Sequence, residues 1–182
     1  AGNGQFSIYP QVPGVFAAGG VYMERDLDLR ASDYCSGYAS PENWFPGTIV
    51  PDSSGLVGMR PRALYIMLPV PAGSELDEML SATDPISGAA GDGTTATDGW
   101  ARFSGTSAAA PQVAGAAALL LGAKPDLTPG QITEALNNTA TDVTSGRCNP
   151  RFNHPATADQ DLATGFGLVN ASAALDYAMR NF

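Results

Sequence analysis

Two short apolar runs bounded by turn residues predict buried β-strands. The first covers residues 14–22, GVFAAGGVY, and the second covers residues 63–68, ALYIML, which Pro69 ends. Neither run alternates between apolar and polar positions, as a strand with one face in water would. Strands without this alternation are typical of a parallel sheet that helices cover on both faces. The long connection from residue 31 to residue 59 carries no pattern that places a strand.

Three further segments predict helices. The run over residues 107–122 is apolar around its whole circumference, which predicts a central, buried helix. The second helix begins at Thr128, where Gln131 completes a capping box and a proline occupies the first helical position. Its inward face is predicted to carry Ile132, Ala135, Leu136 and Thr139. The third helix begins near Asn170, and its apolar positions are Ala174, Leu175, Ala178 and Met179.

Composition narrows the classes of partner. The chain has 182 residues, 44% of them hydrophobic, which suits one domain with a sizeable core. Its net charge is -9 and no cluster of Lys or Arg occurs, so neither nucleic acid nor an anionic membrane is an expected partner. The apolar run at residues 108–121 is too short to cross a bilayer and contains Pro, Gln and Gly. Cys35 and Cys148 could pair in an exported protein or stay reduced, and the sequence leaves both open.

Ser107 stands where the first predicted helix begins. Upstream lies a Gly/Thr loop over residues 91–99, and Pro111 follows four residues later. Because Pro111 cannot donate to the carbonyl of Ser107, a helix holds Ser107 only in its first turn. A helix start has unpaired N–H groups and partial positive charge, which stabilise negative charge developing on a nearby oxygen. The alternative interpretation is an ordinary serine that caps a buried helix.

The segment GTSAAAPQVAG at residues 105–115 resembles the nucleophile motif of the subtilases, the subtilisin-like serine endopeptidases. Three other blocks are similar to subtilase sequence in the family's order, at residues 1–4, 9–20 and 164–171, and residues 65–73 are similar less closely. The resemblance spans nearly the whole chain. It implies an α/β, subtilisin-like three-layer fold with a mostly parallel sheet, of which residues 1–182 form the C-terminal part of a single peptidase domain.

The resemblance also implies roles for individual residues. Ser107 would be the nucleophile that forms an acyl-enzyme during peptide-bond hydrolysis. Asn3 would donate its side-chain amide to the oxyanion together with the backbone N–H of Ser107, although an Asn before Gly is by itself an ordinary turn residue. The residues expected to bind the polypeptide substrate are Gly2, Ile8, Tyr9, Gly105 and Thr106. The Tyr9-Pro10 pair resembles a position where subtilases often hold a cis proline.

A serine nucleophile needs a base, which is usually a His oriented by a carboxylate. In the family order, Asp and His both precede the oxyanion Asn. The resemblance therefore implies that they lie upstream of Ala1, on an N-terminal fragment or chain that partners this one, and that residues 1–182 alone are inactive. His154, the one histidine, lies in a turn-rich segment where the family has no triad residue. Two alternatives stay open: a catalytically inert binding or scaffolding module, and a hydrolase that uses His154 or Lys124.

No cofactor is required for the implied chemistry. Asp92 and Asp98 flank the Gly/Thr loop and could bind a structural calcium ion, but their spacing fits no dedicated calcium loop. Asp159 and Asp161 could likewise bind calcium, but their spacing also fits no dedicated calcium loop. The sequence therefore locates no metal site. An enzyme of this type is expected to be secreted or periplasmic.

Overall fold

The fold is described from a computed structural model that defines residues 2–42, 44–60, 66–83, 85 and 90–182. The strands are β1 (Ala18–Met23), β2 (Leu29–Ala31), β3 (Tyr38–Ala39), β4 (Ile49–Val50), β5 (Ser53–Leu56), β6 (Ile66–Pro69) and β7 (Trp100–Phe103). The helices are α1 (Glu75–Ser81), α2 (Thr106–Ala123), α3 (Pro129–Asn138) and α4 (Ala171–Asn181), with a 3-10 turn at Tyr9–Gln11.

The central sheet has the order β2-β1-β5, with β1 parallel to β5 and antiparallel to β2. An isolated parallel bridge joins Ser54 of β5 to Leu168, whereas β3–β4 and β6–β7 are separate antiparallel pairs. A Cβ added to Gly55 would lie 2.9 Å from the Ala109 backbone, so glycine lets α2 approach the sheet closely. The α/β class is confirmed. Among the strands that the structure describes, β1 and β5 pair in parallel and the other pairs are antiparallel.

The two predicted strands differ in outcome. The first is confirmed as β1, which begins at Ala18 and is buried at its centre. The second appears as β6, although residues 63–65 of that prediction lie outside the described residues. Its predicted burial is wrong, because Met67 and Leu68 are 49% and 39% exposed and β6 pairs with β7 at the periphery. An apolar run does not by itself show how many of its faces are covered.

Helix α2 begins and ends within one residue of the predicted bounds. One of its faces packs against β1, β5 and α4 and buries Ala108, Ala109, Val113, Ala116 and Leu120. The prediction of burial all round is wrong, because Leu119 and Leu121 are 62% and 39% exposed. Helix α2 is long and apolar enough to cross a membrane, by length and composition alone. The core helix of a soluble protein can meet the same criteria, and α2 packs against the sheet.

The predicted caps of the two later helices are confirmed. At the start of α3, the Gln131 amide donates to Thr128 Oγ1 at 3.3 Å, and the Thr128 amide donates to Gln131 Oε1 at 2.8 Å. At the start of α4, Asn170 Oδ1 accepts from the Ala173 amide at 3.0 Å. The two helices contribute Ala135, Leu136, Ala174 and Ala178 to a core shared with Val113 and Leu120 of α2. Met179, another apolar position of α4, is 57% exposed.

The two cysteines lie in a second core cluster beneath β1 and β2. Both are free thiols and about as buried as side chains become, at 1% exposure for Cys35 and 2% for Cys148. The pKa of the Cys35 thiol is raised to about 12, chiefly by burial, and the neighbouring Cys148 contributes to the rise. The thiolate that attacks alkylating reagents is therefore scarce at ordinary pH.

We expect iodoacetamide at pH 8 to leave Cys35 unmodified in the folded, reduced protein and to alkylate it in denaturant. Mass spectrometry of the Cys35 peptide, before and after unfolding, measures this directly. Rapid native-state alkylation at Cys35 would show that the second core cluster opens to water.

Candidate catalytic site

Ser107 is the second residue of α2 and is exposed to solvent. The residue that precedes the helix is Gly105, whose φ of 100° is one that side chains other than glycine rarely adopt. Its carbonyl accepts from the Ala108 amide at 2.9 Å and so closes the first turn. The first N–H groups of a helix generally lack partners within the helix, and Ser107 lies in this first turn of α2.

Asn3 lies at the tip of a tight turn at the beginning of the chain. Its φ is 57°, a left-handed conformation that Asn tolerates better than most residues, and it is exposed. The Gln5 amide donates to the Gly2 carbonyl at 3.1 Å and closes the turn. The Asn3 amide donates to the Tyr34 carbonyl at 2.8 Å, which attaches the turn to a neighbouring segment. Residues 2–5 are called the Asn3 turn below.

The Asn3 turn and the start of α2 are in contact. A Cβ added to Gly2 would lie 2.5 Å from Thr106 Oγ1 and 2.7 Å from the Tyr34 carbonyl oxygen. The Tyr34 ring also lies beside Gly105, with Cδ1 at 3.8 Å from the corresponding Cβ position. Thus the residue before Asn3 packs against the residue before Ser107, although about a hundred positions of sequence separate them.

We expect Gly2→Ala to destabilise the protein by about 1–3 kcal/mol, the usual cost of overpacking, and to displace the Asn3 turn from α2. Gly122→Ala is the matched control, because nothing lies within 4 Å of its Cβ position and it is helical. That control should stabilise by about 0.5–1 kcal/mol. Thermal unfolding of both variants measures the difference, and equal stability of the two would contradict the contact between Gly2 and Thr106.

The remaining predicted substrate-binding residues lie nearby in sequence but are more exposed. Ile8 and Tyr9 are 43% and 79% exposed, at the start of the 3-10 turn. The described residues contain a cis peptide bond at Val50–Pro51, not at Tyr9–Pro10, so the cis position indicated by the resemblance is wrong here. Their place in a pocket for the substrate stays a prediction.

An aromatic cluster beside the Asn3 turn is a feature that the sequence analysis missed. The Phe6 ring lies 4.5 Å from the Tyr38 ring and 5.4 Å from the Trp44 ring, measured between centroids. Tyr38 in turn lies 5.3 Å from Phe152. Phe6 and Trp44 are both 40% exposed, so they present apolar surface next to the turn. These residues come from four separate segments, and no local pattern marks them.

Two polar residues that support the Asn3 turn were also missed. Arg151 Nη1 donates to the Gly4 carbonyl at 2.8 Å. Asn149 Nδ2 donates to the Asp33 carbonyl at 2.9 Å, next to the Tyr34 that holds the Asn3 amide. Because Arg151 and Gly4 are 147 positions apart, only the folded chain reveals the contact.

Neither of the alternative bases considered for Ser107 forms a hydrogen bond to it among the described residues. Lys124 follows the last residue of α2, about 25 Å along the helix axis from Ser107 at 1.5 Å per residue. His154 lies between the bridged residues Arg147 and Pro155, and its carbonyl accepts from the Cys148 amide at 3.0 Å. No hydrogen bond between His154 and Ser107 occurs in the described part of the chain.

The acidic residues considered for calcium accept hydrogen bonds from groups close to them in sequence. Asp92 accepts from Thr94 and Arg102, and although desolvation raises its pKa, these donors outweigh it and hold the pKa below the ordinary value. Asp98 accepts from the Thr95 and Trp100 amides, and Asp161 from Ala163 and Thr164. The described residues include no group of three or more His, Cys, Asp or Glu suited to a metal. Calcium binding stays a prediction without a located site.

A serine in the first turn of a helix packed on a partly parallel sheet, with an Asn-bearing turn against that helix, agrees with the subtilisin-like α/β class that the sequence resemblance implies. The protein-family model of the Subtilase family matches residues 46–162, which is more than half of the chain. The chain belongs to the subtilase family.

Curated relatives agree with this assignment. The chain is 42% identical over 88 residues to subtilisin-like protease SBT2.3 of Arabidopsis thaliana, covering 42% of this chain and 10% of the relative. It is 29% identical over 171 residues to a probable subtilase-type serine protease of Deinococcus radiodurans, covering 85% of this chain and 21% of the relative. The chain thus spans about a tenth and a fifth of the length of these relatives.

Solved structures show the same fold. Fervidolysin from Fervidobacterium pennivorans, a keratinolytic enzyme related to subtilisin, superimposes with a TM-score of 0.58 at 24% identity, over 92% of this chain and 20% of that one. A protease from Pseudoalteromonas arctica superimposes with a TM-score of 0.53 at 25% identity, over 91% of this chain and 36% of that one. The subtilisin-like fold is therefore confirmed for this segment.

Proposed function

We propose that the protein is a serine endopeptidase that hydrolyses peptide bonds through an acyl-enzyme on Ser107. The observation that carries the proposal is the contact between the Asn3 turn and the start of α2, through Gly2 and Thr106. Asn3 and Ser107 are both exposed and each follows one of the contacting residues, which supports an amide donor, a helix N-terminus and a serine hydroxyl acting together. That combination suits acyl transfer, in which negative charge develops on one oxygen.

In the proposed reaction, Ser107 Oγ attacks the carbonyl carbon of the scissile peptide bond while its proton passes to a base. The resulting oxyanion accepts hydrogen bonds from Asn3 Nδ2 and from the Ser107 backbone N–H. Collapse of this intermediate expels the amine, which takes the proton, and leaves the substrate acyl group on Ser107. Water then hydrolyses the ester by the same steps in reverse order.

The proposal assigns the base and its orienting carboxylate to a His and an Asp on a segment upstream of Ala1. Two points support this assignment. Neither His154 nor Lys124 forms a hydrogen bond to Ser107 among the described residues, and the family order puts both groups before the oxyanion Asn. The partner is then an N-terminal fragment or chain, and the substrate is a polypeptide. The proposal includes a secreted or periplasmic location, which fractionation of the source cells tests.

A fluorophosphonate probe tests the proposed function, because it reacts with serines that a base activates. We expect Ser107 to be labelled in the protein that includes its upstream segment, and residues 1–182 alone to stay unlabelled. Ser172→Ala is the matched control, because Ser172 is also an exposed second residue of a helix, α4. That variant should keep full labelling, whereas Ser107→Ala should lose it.

Other labelling patterns would contradict the proposal in distinct ways. Labelling of residues 1–182 alone would indicate a hydrolase that draws its base from this chain. No labelling of the longer protein, with its fold confirmed by circular dichroism, would favour the inert binding or scaffolding module.

A further inference from the structure

We propose that Arg151 is a positioning residue that fixes the Asn3 turn in the geometry needed for oxyanion binding, with Asn149 holding Arg151 in place. The inference rests on the proposed function, because it assigns Arg151 a role that acts through Asn3. Asn149 and Arg151 are together called the clamp.

The clamp completes a set of bonds to consecutive peptide groups of the Asn3 turn. The Asn3 amide is held by the Tyr34 carbonyl at 2.8 Å, and the Gly4 amide by the buried Ser36 Oγ at 2.9 Å. The next polar group along the chain is the Gly4 carbonyl, which accepts from Arg151 Nη1 at 2.8 Å. The peptide groups on both sides of Asn3, and the one that follows Gly4, therefore each have a partner outside the turn.

The Gly4 position is where such a partner matters most. Gly4 has a φ of 75°, and glycine has the widest range of accessible backbone conformations. The Gln5 amide of the peptide group after Gly4 donates within the turn, to the Gly2 carbonyl, so the bond from Arg151 is what ties this peptide group to the rest of the fold. Without that bond, the turn could shift more freely relative to α2 and carry Asn3 with it. A Cβ at Gly4 would lie 2.8 Å from Asn149 Oδ1, so the clamp also packs closely against the turn.

Asn149 connects Arg151 to the segment around Tyr34 that anchors the Asn3 turn. Its Oδ1 accepts from the Arg151 amide at 3.0 Å, and its Nδ2 donates to the Asp33 carbonyl at 2.9 Å. Its own amide donates to the Cys35 carbonyl at 2.8 Å. Asn149 is 5% exposed, so these bonds are shielded from water. The clamp thus bridges the Asn3 turn and the segment that anchors it.

The contacts of Arg151 fit positioning better than a general surface role. Its guanidinium lies 5.7 Å from the centre of the Phe152 ring, which limits the directions that the side chain can take. The ion pairs found in the described part of the chain do not include Arg151. Its polar side-chain contact is the Gly4 carbonyl, one residue from the proposed oxyanion donor.

The physical consequence concerns the transition state. An oxyanion donor stabilises the transition state fully only when it is fixed before the reaction, and displacement by about 1 Å can cost on the order of 10²-fold in rate. Asn3 is exposed, so the turn backbone must supply that rigidity. Loosening the turn should lower kcat and leave substrate affinity nearly unchanged, because the ground-state carbonyl needs the oxyanion donor less.

The test uses the protein with its upstream segment and compares Arg151→Met and Arg151→Lys, each with Asn3 and with Asn3→Ala. We expect Arg151→Met to lower kcat by about 10–100-fold with KM within about twofold. Arg151→Lys, which can still donate one bond, should recover part of that loss. When combined with Asn3→Ala, Arg151→Met should lower kcat by less than about twofold further, because its effect passes through Asn3.

The matched control is Arg147→Met. Arg147 donates from the same segment to another backbone carbonyl, that of Asn153, at 2.7 Å, and makes no hydrogen bond to the Asn3 turn. Arg147→Met should keep the kcat of the parent protein while losing about as much thermal stability as Arg151→Met.

Three results would overturn the inference. The first is an unchanged kcat in Arg151→Met. The second is an equal loss of kcat with and without Asn3→Ala, which would show a merely structural role for Arg151. The third is an Asn3→Ala variant with unchanged kcat, which would remove the oxyanion role in the proposed function itself and the positioning role with it. Strong dependence on Arg151 only in the presence of Asn3 supports the inference.

Discussion

Replacing Ser107 by alanine is expected to abolish peptidase activity of the protein that carries its upstream segment, with kcat falling by about 10⁶-fold. The physical reason is that no other group can form the acyl bond: the residual rate comes only from substrate binding and the oxyanion donors acting on water. The fold should remain intact, because Ser107 is exposed and alanine is a better helix former than serine. Hydrolysis of a chromogenic peptide, with active sites titrated, measures the loss.

The control for this change is Ser172→Ala, in the same position of α4. Its activity should equal that of the parent within error. Retention of more than about a hundredth of the parent kcat by Ser107→Ala would be incompatible with a nucleophilic role, since losing a single oxyanion donor already costs on the order of 10²–10³.

Replacing Asn3 by alanine is expected to lower kcat on the order of 10²–10³-fold and to change KM little. The Asn3 side chain would meet negative charge only after attack, so its loss weakens the transition state and not the bound substrate. Burst kinetics with an ester substrate separate acylation from product release and locate the defect in acylation.

The change at Asn3 also alters backbone preference, because alanine is less tolerant of the left-handed φ of 57°. Asn153→Ala controls for this cost, since Asn153 is exposed and has a φ of 55°. Both variants should lose a similar amount of stability, about 1 kcal/mol, and only Asn3→Ala should lose activity. A matching loss of activity in both would reduce the role of Asn3 to backbone strain.

Helices α2, α3 and α4 were predicted because their signals are local, whereas α1 was missed although Ser74 caps it. Thr128 and Gln131 form both bonds of a capping box within four residues, and Asn170 caps α4 within the same span. Pro111 restricts Ser107 to the first turn of α2 by sterics that need no tertiary partner. Such signals lie within a few consecutive residues, so they can be recognised from the sequence alone.

Burial was predicted less well because it depends on what covers each face. Leu119 and Leu121 of α2, and Met67 and Leu68 of β6, are apolar yet exposed in residues 1–182. The short strands β2, β3, β4, β5 and β7 were missed because two to four residues give too little pattern to separate a strand from a loop.

The motifs around Ser107 and Asn3 could be recognised in the sequence, and their catalytic roles stay predictions, whereas the residues that support the Asn3 turn could not be predicted. Ser107 and Asn3 stand within motifs that the family resemblance marks, and the fold brings their neighbours Thr106 and Gly2 into contact. Arg151 was not predictable, because its bond to Gly4 joins residues 147 positions apart and a lone arginine in a turn-rich segment has no local signature.

A crystal structure of the protein with its upstream segment, trapped as the fluorophosphonate adduct, measures the central geometry directly. The adduct should be covalently attached to Ser107 Oγ, with its phosphonyl oxygen about 2.7–3.1 Å from both Asn3 Nδ2 and the Ser107 backbone nitrogen. An adduct whose oxygen is bound by other donors, with the Asn3 side chain turned away from it, would contradict the shared site of Ser107 and Asn3.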